Sequence, residues 1–176
     1  MNSLAQLIAG RRSVRKFTDE AISAEDILQL KRAALSAPTG KNCKSWEFVF
    51  VQDPATIQAL SGVKDNGSTF VGGARLAIVV FADKRKTDIW IEDACIAASF
   101  LLLQAVDLGL GATWVQLRER GRAGGETAKE AVAKMLGVPS EDFEPVCLIA
   151  VGHPAGSVRP YTDDKLPWAQ AHDEKF

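Results

Sequence analysis

The chain has 176 residues, which is long enough for one domain with a sizeable buried core. Hydrophobic residues make up 47% and charged residues 24%, the composition of an ordinary globular protein. The formal net charge of −1 excludes a global electrostatic field for nucleic acid or a membrane surface. A strongly basic segment in this chain is therefore a local feature, the size of a binding site.

The few cysteines and histidines also exclude several classes of site. Cys43, Cys95 and Cys147 are odd in number and far apart, so they predict neither a disulfide framework nor a metal site. The sequence has only two histidines, which disfavours a His-based metal site or a catalytic triad. The N-terminus lacks the pattern of a signal peptide. Together these features predict a cytoplasmic enzyme or binding protein.

In chain order, the first element is a short helix over residues 3–10, where leucine and isoleucine recur at helical spacing. The basic segment, residues 11–17, follows and is predicted to be extended. A second helix begins at Ser23, a hydroxyl cap followed by acids, and stops before Pro38. The buried face of this helix is predicted from Ile27, Leu28, Leu30, Ala34 and Leu35.

The middle of the chain alternates between loops and strands. The turn-rich loop, residues 37–45, leads into a β-branched and aromatic strand over 46–51. A short helix over 53–60 has proline at its first position, and 62–73 is a glycine-containing loop. Residues 76–82 are continuously apolar, which is typical of a strand covered on both faces.

The longest predicted element is a helix over 87–108, which Gly109 closes. It is apolar nearly all round, so it is either a central buried helix or a membrane span. Polar residues interrupt it, at Glu92, Asp93, Gln104 and Asp107. No uncharged run of about 18 residues therefore exists, and a central helix, shared with a second subunit, is the better interpretation.

The last third predicts a strand over 112–117, a charged loop over 118–125, a helix over 126–136 and a strand over 144–151. Residues 152–176 form an extended tail, anchored by Pro160, Tyr161, Trp168 and Phe176. No repeat or linker divides the chain. Interleaved strands and helices around one core predict a single three-layer α/β or α+β domain over residues 1–176.

Motifs for hydrolases, kinases and dinucleotide-binding folds are absent from the sequence. Gly109 and Gly111 follow a helix and precede a strand, so they indicate a helix stop. Glu92 and Asp93 are adjacent on a helix and do not face each other, which favours a polar or interface role over an acid–base pair. His153 precedes a proline and is interpreted as structural.

The basic segment is the strongest candidate for a binding site. In an extended chain, Arg11, Ser13 and Arg15 point to one side and supply the donors that bind a phosphate monoester. The alternative is a solvated basic edge. A site with many fixed donors and few proton-transfer groups favours chemistry performed by a bound cofactor.

Four short motifs occur in order along nearly the whole chain: RRSVRKF at 11–17, SAPTGKN at 36–42 followed by WEF at 46–48, LGLGATW at 108–114 and VGHP at 151–154. Together they resemble the nitroreductase family of FMN-dependent oxidoreductases. The resemblance implies a three-layer α+β fold with a central mixed or antiparallel sheet flanked by helices. It also implies an intertwined homodimer with FMN at the interface. NADH or NADPH would reduce the flavin in a ping-pong reaction, and a nitroaromatic, quinone or similar acceptor would then be reduced.

The resemblance also implies roles for residues. Arg11, Arg12 and Ser13 match positions that hold the phosphate and ribityl chain of FMN, and Arg15 matches a cation near the pyrimidine edge, where it would stabilise reduced flavin. The loop contributed by the other subunit is matched by Pro38, Thr39, Gly40 and Asn42. The segment beside the ring is matched by Trp114, Val115 and Gln116. Arg159 matches the tail cation that returns to the phosphate, with Lys165 as a second candidate.

The sequence departs from the family in the loop, where Lys44 and Ser45 replace the usual Gln-Pro and Thr39-Gly40 replaces two small hydroxyl residues. No side chain is predicted to act as a catalytic acid or base, and no metal is predicted. Several alternatives remain open. They are another flavin chemistry on the same fold, such as a dehydrogenase or dehalogenase; a flavin-binding protein without turnover; and a phosphate-ligand binding protein. Arg159 can alternatively pair with Asp163 or Asp164, and Trp46 and Trp114 can be core aromatics.

Overall fold

The computed structural model describes residues 3–176 and contains a four-stranded antiparallel sheet. Its strands are β1 (Trp46–Val51), β2 (Leu76–Asp83), β3 (Gly111–Gln116) and β4 (Phe143–Gly152), in the spatial order β1-β2-β4-β3. The central strands β2 and β4 are buried almost throughout. The continuous apolar sequence of β2 reflects this burial on both faces.

Five helices flank the sheet: α1 (Leu4–Gly10), α2 (Ala24–Leu35), α3 (Pro54–Leu60), α4 (Trp90–Asp107) and α5 (Ala128–Leu136). Helices α2 and α4 pack on one face of the sheet around one apolar core, and α3 and α5 pack on the other face around a second core. This arrangement confirms the predicted three-layer α+β fold. No helix within residues 3–176 has the length and apolarity needed to cross a membrane.

Local sequence signals account for most helix boundaries. Ser23, Asp53 and Thr127 each accept a hydrogen bond at a helix N-terminus from a backbone N–H of the first turn. Gly137 ends α5 with a φ of 67°, a left-handed conformation that glycine adopts without strain. Helix α4 begins at Trp90, three residues later than predicted, because residues 84–86 and 88–89 form turns.

Three predictions about burial are wrong. Leu28 and Leu35 are 40% and 61% exposed, because they lie a quarter-turn away from the α2 face that buries Ile27, Leu30 and Ala34. In the tail, Trp168 and Phe176 are exposed, and the contacts they make, with Asp163 and His172, stay within the tail itself. Asp93 does not belong to a polar face of α4 but is buried, with 1% of its surface exposed.

The basic segment is extended, as predicted, and adds to the open edge of β3. Ser13 pairs in parallel with Ala112, and Phe17 pairs with Pro154 just beyond β4. Gly111 and Gly152, which lie opposite each other in the sheet, make room for this crossing. A Cβ atom on Gly111 would lie 2.6 Å from a Val14 methyl carbon, and one on Gly152 would lie 2.9 Å from the Phe17 ring. Glycine at both positions lets the segment lie directly on the sheet.

Candidate functional site

An open cleft of about 590 Å³ lies between the basic segment and the start of the tail. Five consecutive residues of the basic segment line one wall, from Arg12 to Lys16, and residues 154–159 with Tyr161 line the other. A second cleft of about 320 Å³ adjoins it and shares Arg12, Val14 and Pro154. The cleft therefore runs along the basic segment.

Backbone hydrogen bonds hold the two walls in place. Val14 N–H donates to the carbonyl oxygen of Ala112 at 3.1 Å, which fixes the basic segment to β3. On the other wall, Ala155 N–H donates to the Lys16 carbonyl at 3.0 Å, and Tyr161 N–H donates to the Ala9 carbonyl at 2.8 Å. The start of the tail thus runs back along the basic segment, antiparallel to it.

The cleft is strongly basic. Its charged lining residues are Arg12, Arg15, Lys16 and Arg159, and no carboxylate lines it within the described residues. None of these four cations has an ion-pair partner among residues 3–176. Positive charges facing one cavity without carboxylate partners are suited to a phosphate or another anion.

Arg12 also contacts the opposite wall. Its Nη1 donates to the carbonyl oxygen of Arg159 at 2.7 Å, and its guanidinium carbon lies 4.2 Å from the centre of the Tyr161 ring. The alternative partner predicted for Arg159 has other contacts, because Asp164 pairs with Lys165 at 3.2 Å. Lys165 itself does not line the cleft.

Of Arg11, Ser13 and Arg15, the three residues that alternation predicts on one surface, only two line the cleft. Ser13 and Arg15 line the cleft, whereas Arg11 caps the C-terminus of α1, its N–H donating to Leu7. Side chains from both faces of the basic segment line the cleft, because the cleft runs along the backbone of the segment.

The three predicted residues of β3 lie at the edge strand next to this cleft. Ala112 directs its backbone hydrogen-bonding groups towards the basic segment. Because this direction alternates along a strand, the backbone N–H and C=O groups of Trp114 and Gln116 point to the same outer edge. Trp114 is half-buried against the α4 core, and its Nε1 donates to Gln116 at 3.1 Å. Val115 is 2% exposed and packs into the opposite core. Trp114 is thus a core aromatic that also lies at the edge.

The turn-rich loop is built around Asp93, a residue on the first turn of α4. The Asp93 carboxylate accepts hydrogen bonds from Gly40 N–H at 2.9 Å, from the Cys43 thiol at 3.4 Å and from the Ser45 hydroxyl at 2.7 Å. Ser45 is fully buried. The serine that departs from the family pattern therefore anchors the loop to α4.

The loop backbone is unusual. Lys41, Asn42 and Lys44 have φ values of 51°, 56° and 49°, in the left-handed region that residues other than glycine rarely adopt. Gly40 lies so close to Ile89, the residue before α4, that a Cβ atom would fall 2.2 Å from the Ile89 Cδ1 atom. Such a fixed and strained loop is typical of a functional surface.

The structure does not bring this loop to the cleft within one chain. The loop is attached at Asp93, near the start of α4, whereas Val106, near its end, lines the adjoining cleft. At about 1.5 Å per residue these positions are about 20 Å apart along the helix axis. None of the four predicted loop residues lines either cleft.

No described side chain stands out as a catalytic acid, base or nucleophile. His153 Nε2 lies 3.8 Å from Glu20, and its carbonyl accepts a hydrogen bond from Thr18, so its contacts are structural. Burial raises the pKa of the Cys95 and Cys147 thiols, which keeps them neutral. Among residues 3–176, no three His, Cys, Asp or Glu residues cluster as metal ligands.

Sequence reasoning missed four residues that build the site: Lys16, Ser45, Asp93 and Tyr161. Lys16 could have been found as part of the basic run, and Tyr161 as an aromatic near Arg159. Asp93 gave a weaker signal, a carboxylate within a helix that is otherwise apolar. Ser45 gave no signal, because its role depends on a contact with a residue distant in sequence.

Comparison with known proteins supports one family. The profile described as "Nitroreductase family" matches residues 8–153. An Archaeoglobus fulgidus protein, provisionally named NADH dehydrogenase/NAD(P)H nitroreductase, is 31% identical over the whole of both chains. Among solved structures, an FMN-dependent nitroreductase from Clostridium difficile R20291 is 37% identical with a TM-score of 0.95. That match covers 98% of this chain and 100% of the other.

A third similar protein was solved with the cofactor. It is a provisionally assigned nitroreductase from Desulfovibrio desulfuricans in complex with FMN, 27% identical with a TM-score of 0.79, and the match covers 100% of this chain and 99% of that one. The profile match covers most of the chain, and the Archaeoglobus relative aligns from end to end. With the fold and the basic cleft described above, these matches show that the chain belongs to the nitroreductase family.

Proposed function

We propose that this protein is an FMN-dependent oxidoreductase that transfers reducing equivalents from NADH or NADPH to a nitroaromatic, quinone or similar acceptor in a ping-pong reaction. The observation that carries this proposal is the cleft, where four cations without ion-pair partners in the described chain face a cavity free of described carboxylates. The family membership and the relatives named for FMN and NAD(P)H support it.

The residues of the cleft fit the phosphate end of FMN. Arg12, Ser13, Arg15 and Arg159 supply a hydroxyl and three guanidinium groups at the cavity, and Arg11, the residue directly before them, completes the predicted set. We propose that these five residues hold the phosphate and the ribityl chain, with Arg15 towards the flavin ring. A fixed cation near the ring favours negative charge that develops there during reduction.

The flavin ring would lie along the outer edge of β3. Trp114 and Gln116 turn backbone N–H and C=O groups to this edge, and such groups can bond to the polar rim of the ring. Val115 contributes through its position in the strand, since its side chain is buried in the core. When bound, FMN supplies the hydride chemistry, and we assign no catalytic acid, base or metal to the chain.

We propose that Pro38, Thr39, Gly40 and Asn42 reach the flavin from the partner subunit of a homodimer. The separation of about 20 Å between loop and cleft along α4 supports this arrangement. Apolar side chains exposed on α1 and α4 are available for such an interface; they are Leu4, Ile8, Ile96 and Phe100.

We also propose that residues 1–176 form a single nitroreductase-like domain, with 152–176 as its tail. The two cores share one sheet, which supports this division. A cytoplasmic location is part of the proposal, because a reducing compartment suits the three free cysteines.

The test is an absorption spectrum of the purified protein, before and after anaerobic addition of NADH or NADPH. We expect flavin bands in the blue and near-ultraviolet that bleach with at least one nucleotide. Arg11→Ala and Arg15→Ala variants should lose about tenfold or more in FMN affinity, because each removes a charge-assisted contact. Lys134→Ala, which removes an exposed lysine of α5, is the matched control. A protein that takes up no added FMN would refute the proposal.

A further inference from the structure

We propose that Lys64 and Arg120 form a phosphate-binding subsite that recognises the 2′-phosphate of NADPH and makes NADPH the preferred electron donor. This inference rests on the proposed function. The subsite lies in the loop junction, defined as residues 62–67 together with residues 118–126. The sequence assigned no role to either segment.

Hydrogen bonds fix the two halves of the loop junction to each other. Asp65 N–H donates to the Gly121 carbonyl at 3.4 Å, and the Asp65 carboxylate accepts a bond from Ala123 N–H at 2.6 Å. Arg122 Nε donates to the Gly62 carbonyl at 2.5 Å. Lys64 directly precedes Asp65, and Arg120 directly precedes Gly121, the two residues that the first of these bonds joins. The backbone therefore holds Lys64 and Arg120 on two segments that meet at this bond.

The carboxylates of the loop junction have polar partners, whereas the two cations have no carboxylate partner in the described chain; Arg120 Nη1 donates to the Glu119 carbonyl at 2.9 Å. Glu119 pairs with Arg118, and Glu126 lies 3.7 Å from Arg122. Neither Lys64 nor Arg120 has an ion-pair partner within residues 3–176. Burial lowers the pKa of Lys64, and the charge of Arg120 lowers it further, which indicates that the two cations interact. A phosphate dianion placed between them would relieve this repulsion.

The loop junction adjoins the edge of β3 where the flavin ring is proposed. Arg120 N–H donates to the Leu117 carbonyl at 3.0 Å, which closes a turn and keeps their Cα atoms within about 7 Å. Leu117 directly follows Gln116 at that edge. On the other side, the Arg15 guanidinium lies 5.7 Å from the ring of Phe70, which follows the Lys64 segment in the chain.

A nicotinamide ring that reacts with the flavin must lie against it, so the adenosine end of the nucleotide extends away from the β3 edge. In this proposal the adenosine end lies at the loop junction, whose second segment begins two residues after β3 ends. NADPH carries a phosphate on the adenosine ribose that NADH lacks. A guanidinium and an ammonium group that bind this phosphate favour NADPH over NADH. No described carboxylate of the junction is left free to favour the 2′-hydroxyl of NADH.

The kinetic test compares NADPH and NADH with the FMN-loaded protein. We expect kcat/KM to be about tenfold or more higher for NADPH, from charge-assisted contacts to one phosphate. A Lys64→Ala/Arg120→Ala variant should raise KM for NADPH by about tenfold or more and change KM for NADH less than about twofold. Lys64→Arg should retain the preference. The control is Lys134→Ala, which removes a cation from the exposed surface of α5.

A binding test does not require turnover. Calorimetry with 2′,5′-ADP and 5′-AMP should show tighter binding of 2′,5′-ADP to the wild-type protein, and the double variant should lose this difference. Equal rates with NADH and NADPH together with equal binding of the two nucleotides would overturn the inference while leaving the proposed function intact. If neither dinucleotide reduces the flavin, the proposed function fails, and the nucleotide binding still decides whether the subsite exists.

Discussion

Arg12 joins the basic segment to the tail by donating a hydrogen bond to the backbone carbonyl of Arg159, 147 residues further along the chain. The same guanidinium stacks on Tyr161. Arg12 thus holds the wall that carries Arg159, and a single residue has two effects on the cleft. It contributes charge directly, and it positions a second cation.

Replacing Arg12 with alanine is expected to release the start of the tail as well as weaken FMN binding. The lost contacts are a charge-assisted hydrogen bond and a cation–π contact, worth about 2–4 kcal/mol together. Limited proteolysis should cut within residues 155–161 faster than in the wild type, and FMN affinity should fall by about tenfold or more. Arg15→Ala is the matched control, because it removes a cation from the same cleft without a contact to the tail. Equal proteolysis of the two variants would contradict the role assigned to Arg12.

Gly40 is expected to accept a larger side chain only at the cost of moving the Ile89 side chain or the loop. A Cβ atom there would lie 2.2 Å from Ile89 Cδ1, so Gly40→Val should displace the turn-rich loop and destabilise the protein by about 1–3 kcal/mol. Ile89→Ala should create space and restore part of this loss in the double variant. Urea unfolding of the four proteins measures the coupling. Strictly additive effects would show that the contact with Ile89 is not the reason for the glycine.

Removing the Asp93 carboxylate is expected to disorder the turn-rich loop. Asp93→Ala leaves three donors, from Gly40, Cys43 and Ser45, without their acceptor in a largely buried site, at a cost of about 2–4 kcal/mol. FMN retention should fall in parallel if the loop forms part of the flavin site. The neighbouring and exposed Glu92→Ala is the control, and a comparable loss of stability in that variant would count against the loop-anchoring role of Asp93.

The stability of the fold is expected to fall in acid partly because of Asp83. Hydrogen bonds from the Arg85 side chain, at 2.9 Å to each carboxylate oxygen, lower the pKa of Asp83 from 3.8 to about 2. Because the folded-state pKa is lowered, this stabilisation is present above about pH 4 and is lost as the pH falls towards about 2. Asp83→Asn should therefore be less stable than the wild type at neutral pH and converge with it near pH 2. A difference that stays constant over this range would contradict the assignment.

Much of the fold could be predicted because the local signals agree with the global arrangement. The apolar sequence of β2, the proline and aspartate that start α3, and the capping threonine and glycine of α5 each act within a few residues. The face of α2 was harder to predict. Leu28 and Leu35 have the same hydrophobicity as the buried leucine of that helix, and only the direction of packing separates them.

The site was predictable where charge is concentrated in sequence and unpredictable where contacts are long-range. The basic segment identified a cleft, but its geometry depends on the tail, which could not be placed from local patterns. For the same reason, the bond between Ser45 and Asp93 and the packing of Gly40 against Ile89 were not evident. The proposed NADPH subsite likewise needs two loops that are more than fifty residues apart in sequence to meet.

In the proposed dimer, one flavin site combines the cleft of one subunit with the turn-rich loop of the other. A mixed dimer tests it most directly, with one chain carrying Arg15→Glu and Arg159→Glu and the other carrying Gly40→Val, each with a different purification tag. Each variant alone should bind no FMN. In the mixed dimer, the unaltered cleft of the second chain meets the unaltered loop of the first, so we expect one FMN per dimer, bleached by NAD(P)H. A mixed dimer that binds no FMN would contradict a site shared between subunits.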